Sequence, residues 1–217
     1  MAQATEIVSL SLKEGVDAQT PQLKSALETI IKQGRPHRMY AGAQVEHPNV
    51  QSLFIDWSSI DHHIQFTKWE GYKAFLDGAA ELCDAPPSPF HVHFEPFPPT
   101  PAFTEVTEFL SVYFPADYSP EDQQTFHEGM KKFGSIVQRD WEECRGTAGG
   151  WVAEELEDPK TGEKAKVYVC LLGWPGVESH MKFRETQSFK DNVHLLRGAK
   201  DLKNVAVVHV ASKEFKE

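Results

Sequence analysis

Histidine is the side chain that most readily gives or takes a proton near neutral pH, and 10 of the 217 residues are histidine. Two groupings could do chemistry. His62 and His63 open a stretch with Trp57, Phe66, Trp69 and Tyr72 close by in sequence. Spacing of three to four residues puts His63, Phe66 and either Trp69 or Glu70 on one helical face. Such a face suits an aromatic pocket in which an imidazole acts as base or acid. The second grouping is Phe90-His91-Val92-His93-Phe94-Glu95. Strand alternation sends His91, His93 and Glu95 to one face and Phe90, Val92 and Phe94 to the other. Two imidazoles placed that way could chelate a divalent metal, with Glu95 or His62 as a further ligand. Without metal they could floor a polar pocket that takes a proton from an enolisable or phenolic compound. Both groupings also suit plain structure: an aromatic core with a helix-start histidine, and a partly solvated strand face.

The elements that must position these residues come in duplicate. Residues 57–73 read WSSIDHHIQFTKWEGYK and residues 174–190 read WPGVESHMKFRETQSFK. Trp57 falls on Trp174, His63 on His180, Phe66 on Phe183 and Lys73 on Lys190. Around them Ile60 pairs with Val177, Asp61 with Glu178, Ile64 with Met181 and Tyr72 with Phe189. Self-similarity of this kind fixes architecture before any other argument.

The element order agrees. In the first copy, strands are expected over 6–12, 38–46, 51–57 and 90–95. A helix follows Thr20, with Pro21 early in it, and helical material spans 59–83 with a break near Glu70-Gly71. In the second copy, strands are expected over 108–114, 148–156, 165–174 and 205–210, with helices over about 120–141 and 176–198. Ser119-Pro120 has the composition of a helix start. Each copy therefore reads β-α-β-β-α-β, giving an α+β fold class of two ferredoxin-like repeats. Helices cover one face of each sheet, and the other apolar face needs a cover. Two copies in one chain can supply it by pairing their antiparallel sheets into an intramolecular α+β barrel. The expected organisation is a first repeat over 1–97, a Pro-rich linker over 98–103 and a second repeat over 104–217.

Bulk composition excludes several function classes. The chain is 40% hydrophobic and 25% charged, ordinary for a globular protein. Its net charge of −10 repels polyphosphate, and no basic stripe stands out, so nucleic acid is not an expected partner. No apolar run approaches the roughly 18 residues that cross a bilayer, and the first residues lack the pattern of a signal peptide. Cys83, Cys144 and Cys170 have no metal-site spacing, which suits reduced thiols in a cytoplasmic protein.

Trp57, Ser59, His63, Phe66 and Tyr72, with Trp174, His180, Phe183 and Phe189, carry a family resemblance. A strand ending in Trp followed by this spacing of His and aromatic residues resembles the dimeric α+β barrel superfamily. Within it, the pattern is most similar to the antibiotic-biosynthesis-monooxygenase branch, here as a tandem fusion. The resemblance implies a small cofactor-independent enzyme of secondary metabolism, of monooxygenase, cyclase or decarboxylase type, acting on an aromatic or polyketide-like metabolite. The same superfamily includes stress-response proteins and members that are not catalytic, so a non-catalytic small-ligand-binding barrel is the alternative. Haem-degrading members carry a ligating His where this chain has Leu76 and Val193.

Together these readings nominate His63, His91 and His93 for acid–base work. Trp57, His62, Phe66, Trp69 and Tyr72 are expected to contact a small hydrophobic or aromatic molecule. No cofactor and no metal are expected. The chain is expected to be a pseudo-dimer within itself, with a further homodimer open. The second copy has only His209 in its last strand where the first has His91 and His93, so the difference between copies is expected to hold the function.

Overall fold

The computed structural model describes residues 2–216. By contact the chain divides into two units, residues 2–91 with 210–216, and residues 92–209.

The first unit builds β1 (Ala4–Ser11), α1 (Pro21–Thr29), β2 (Arg38–Gln44), β3 (Val50–Trp57), α2 (Ile60–Thr67) and α3 (Tyr72–Glu81), and β4 (Phe90–Val92) begins at its end. β1 lies antiparallel to β3 with Glu6 opposite Ile55 and Ala4 opposite Trp57. β2 takes the other edge of β3, with Met39 opposite Ile55. The sheet order β4-β1-β3-β2 is that of a ferredoxin-like unit. The period of two along β1 sends Glu6, Val8 and Leu10 to the helix-facing side. There Val8 and Leu10 join Leu23, Leu27, Ile30, Leu53 and Ile55 in one buried cluster. Pro21 sits at the first position of α1, where its missing N–H costs nothing. A π-helical turn, Ile30–Gly34, then closes on Arg35 in the left-handed region, φ 51°. Gly34 is needed there because a Cβ would stand 2.6 Å from the Trp57 ring.

The second unit repeats the plan with β5 (Val106–Pro115), α4 (Pro120–Asp140), β6 (Gly146–Trp151), β7 (Leu156–Glu157), β8 (Lys164–Trp174), α5 (Val177–Glu185), α6 (Gln187–Asn192), α7 (His194–Arg197) and β9 (Asn204–Glu214). The order β9-β5-β8-β6 again has the ferredoxin-like sequence, with Glu108 opposite Leu172 and Val106 opposite Trp174. Ser119 caps α4 by accepting the Asp122 N–H, and Pro120 follows it. The residues of β9 from Val210 onward pair with β2 and are counted with the first unit.

The α+β class and the duplicated plan stand as the sequence predicts. Two differences from the expected bounds bear on the site and its neighbouring strand. β4 stops at Val92, so period-two alternation does not carry on to His93 and Glu95. The expected 148–156 strand is two pieces, because residues 153–155 leave the ladder before β7.

Candidate functional site

A buried glutamate on the first strand organises each repeat. In the first, Trp57 ends β3 and donates its indole N–H to Glu6 Oε2 at 2.8 Å. Ser59 caps α2 by accepting the His62 N–H, which starts the helix in time to bring His63 over Trp57. The two rings stack at 5.2 Å with 16° between their planes. His63 then faces two partners through opposite nitrogens. Its Nε2 lies 3.6 Å from Glu6 Oε1, and its Nδ1 lies 2.8 Å from His91 Nε2. All three side chains are buried. Hydrogen positions follow from the tautomers, which heavy-atom distances leave open. The tautomer in which Nδ1 donates to His91 Nε2 leaves the Nε2 lone pair on the Glu6 side, able to take a proton.

The second repeat contains the same network. Trp174 donates to Glu108 Oε2 at 2.9 Å, and His180 Nε2 is 3.6 Å from Glu108 Oε1. His180 Nδ1 is 2.8 Å from His209 Nε2, and its ring stacks on Trp174 at 5.3 Å and 15°. Burial pushes the Glu108 carboxyl up to about 7, with the Trp174 hydrogen bond and the Arg184 charge opposing. The expectation that His91 has no counterpart is therefore corrected. His209 is that counterpart, and Ala211 follows where the first copy has His93.

The first network borders empty space. A cavity of about 340 Å³ in the first repeat is lined by Glu6 and His63 at its polar end. Leu10, Leu27, Leu53, Ile55, Phe66 and Phe75 supply apolar walls. Helix α3 has no buried residue, although Tyr72, Phe75 and Leu76 turn toward the cavity. Tyr72 also lines it, and its phenol is raised above the ordinary range by burial and then by the Glu6 charge. It therefore stays a neutral hydrogen-bond donor at neutral pH. In the second repeat, Phe126, Met130, Phe133, Trp174, Phe183 and Leu196 form one buried cluster, with Trp141 and Phe189 packed against it. None of the other three cavities described is lined by Glu108, His180 or His209.

The structure distributes the sequence candidates unevenly. His63, Phe66 and Tyr72 line the cavity. His91 lies behind His63, in contact with it. Trp57 is fully buried and acts on the site through Glu6. Trp69 stacks on Phe66 at 6.5 Å, and His62 turns its Nδ1 to Ser58 Oγ at 3.0 Å; neither lines the cavity. His93 is exposed, with its backbone N–H toward Trp151 O at 3.3 Å, outside the grouping. The expected His91–His93–Glu95 face does not form. Glu95 instead holds His127 at 3.0 Å and Lys131 at 2.8 Å. The residue of the grouping that the motif reading missed is Glu6. Its signal was there, since Glu108 holds the same place in the repeated strand.

No protein-family model matches the chain, and no curated protein matches it by sequence. Solved structures do. A monooxygenase candidate from Lactobacillus acidophilus NCFM aligns with a TM-score of 0.61 at 11% identity, over 99% of this chain and 96% of that one. An anthrone oxidase-like protein aligns with 0.61 at 12% identity, over 99% and 94%. A monooxygenase candidate from Fusobacterium nucleatum subsp. nucleatum ATCC 25586 gives 0.57 at 13% identity, over 98% and 94%. At such identities the likeness is one of fold, and its full-length coverage fits two ferredoxin-like copies fused in one chain. Among the described residues no helix is long and apolar enough to cross a membrane.

Proposed function

We propose that the first repeat is a small-molecule enzyme of the monooxygenase kind, acting on an apolar aromatic or polyketide-like compound with one acidic proton. One observation carries this reading: of two equivalent Glu–His–His networks, the one at Glu6 opens on a cavity. A cavity of this size, mostly apolar with a few convergent polar groups, is the ordinary form of a small-molecule site. His63 is the base that touches substrate, with His91 and Glu6 dispersing the charge it gains. Trp57 positions Glu6, and Tyr72 donates to an oxygen of the substrate.

Oxygen chemistry without a resident organic cofactor requires the substrate to supply the electrons. For a ring-flanked CH2 group, loss of a proton to His63 gives a carbanion that transfers an electron to O2. Recombination forms a C–O bond, the O–O bond then breaks, and the products are one C=O and one water. A cyclisation or decarboxylation would use the same proton transfer without O2.

The test is O2 uptake with a panel of polycyclic phenols bearing an acidic CH2, on the wild type, H63A, H91A and H180A. General acid–base catalysis contributes about 10²–10⁴-fold, so H63A should fall by that range and H91A by less. H180A should keep turnover. Equal activity in H63A and the wild type on a substrate that turns over would remove the reading. A second reading, a non-catalytic small-ligand binder, draws on the same network being present in a filled repeat. Saturable binding of the panel without any turnover would favour it.

A further inference from the structure

Glu6, His63 and His91 have a second chemical capacity that goes beyond proton transfer. We propose that these three side chains bind one divalent transition cation of the Zn2+ or Co2+ class at the polar end of the first-repeat cavity.

The donor set is two imidazoles and one carboxylate, the borderline combination that such cations prefer over Mg2+ or Ca2+. One ligand atom from each residue lies within 4.8 Å of the others, and all three residues are buried. Among the described residues no other group of three His, Cys, Asp or Glu meets that spacing. Two ligands on a tetrahedral metal, each about 2.1 Å from it, are about 3.4 Å apart. His63 Nδ1 and His91 Nε2 stand at 2.8 Å, so the two rings must part by roughly half an ångström to admit the metal between them. The carboxylate has further to come, since its Oε1 is 3.6 Å from the other nitrogen of His63. With the ligand atoms within 4.8 Å of one another, Glu6 needs to move toward the imidazole pair by up to roughly 1.4 Å to reach a tetrahedral edge. Trp57 holds the opposite oxygen, the kind of outer contact that orients a ligating carboxylate.

The cavity supplies what a bare triad lacks. Three protein ligands leave coordination positions for water or substrate, as in catalytic rather than structural sites. Here those positions open on the volume lined by Glu6 and His63. The second repeat has the same residue types at 2.8 and 3.6 Å, but its network sits among packed aromatic side chains. Among the described residues only the first-repeat triad brings its three ligand atoms within 4.8 Å of one another, and it borders the cavity, so the proposed stoichiometry is one per chain. The bound cation takes the place of the proton shared by the two imidazoles. Metal loading and metal-free proton transfer are thus alternative states of the first repeat.

The test is direct titration of chelator-treated full-length protein with Co2+, read by its visible d–d bands, and with Zn2+ by calorimetry. One equivalent should bind. H63A and H91A should weaken binding by at least 100-fold, and W57F, which removes only the outer contact, by about 10-fold. H180A and H209A should bind like the wild type. Binding that survives H91A would place the metal on surface histidines and overturn the proposal. So would loss in H209A equal to that in H91A, or no saturable band at millimolar Co2+. Should H91A misfold, H91Q gives the second variant. A Zn2+-dependent rise in melting temperature, present in the wild type and absent in H91Q, reads binding without any substrate. Binding is measured apart from turnover, so failure here leaves the acid–base reading standing, and the reverse holds too.

Discussion

His91 and His209 play one part in two places. Each presents Nε2 at 2.8 Å to the Nδ1 of a helix histidine, His63 in one repeat and His180 in the other. In both, the helix histidine also lies beside a glutamate on the first strand and a tryptophan ending the third. The network is thus a property of the duplicated fold, and a cavity of about 340 Å³ lies beside His63.

Filling that cavity tests whether it is the working volume. Ala26 lines it from α1, and A26F places a ring in existing space, so folding stability should hold within about 1.5 kcal/mol of the wild type. Affinity for an apolar fluorescent probe should drop at least tenfold. Unchanged probe affinity, with a mutant of normal melting temperature, would locate binding elsewhere.

Aromatic truncation should cost different amounts in the two repeats. Phe183 is packed in the second core at 2% exposure, whereas Phe66 already borders empty space. F183A opens a new cavity and should lose about 3–5 kcal/mol in urea unfolding. F66A enlarges an old one and should lose less, close to the transfer term alone. Equal losses would mean that the first cavity is closed in solution.

The indole donors can be removed without removing the rings. W57F leaves the stacking surface on His63 but takes the 2.8 Å hydrogen bond from Glu6. A buried carboxylate short of one donor costs about 1–3 kcal/mol. W174F should show a similar loss at Glu108, where the bond is 2.9 Å. Denaturant midpoints at neutral pH check both.

Asp56 makes stability depend on pH. Its side chain is wholly buried, Thr5 donates to Oδ1 at 2.6 Å, and Oδ2 has no hydrogen-bond partner. Burial raises its carboxyl from 3.8 to about 6, against the Thr5 hydrogen bond and the charges of Arg38 and His37. A folded-state value above the unfolded one favours the protonated form in the fold. The associated stability is complete below about pH 4 and is lost as pH rises through about 6. A carboxyl raised that far corresponds to about 3 kcal/mol between its two protonation states. D56N should therefore match the wild type near pH 4 and exceed it by about 2–3 kcal/mol at pH 8. Parallel stability curves for the two proteins would refute the assignment.

The cysteines report on the cavity as well. Burial raises all three thiols, with Cys144 pushed up to about 11 and Cys170 higher still. Cys83 is the one that lines the cavity. In native protein a small thiol reagent should label Cys83 first, and A26F should slow that labelling. Peptide mapping after timed quenching gives the order.

The sequence by itself determined the duplication, the α+β class and the histidine that opens each second helix. Those follow from periodicity, caps and spacing, which are local properties of the chain. Ser59 and the register of Trp57 place His63 correctly on that basis alone. Tertiary structure decided the rest. His91 became a partner of His63 rather than of His93, because β4 ends at Val92 and period-two alternation ends with it. Glu6 joined the site because β1 lies beside β3, a pairing between residues far apart in sequence. The volume beside His63 is likewise decided by packing. Phe133, Phe183 and their neighbours occupy the second repeat, and α3 leaves the first open. Volume is a sum over many side chains meeting in space, and no short motif encodes it.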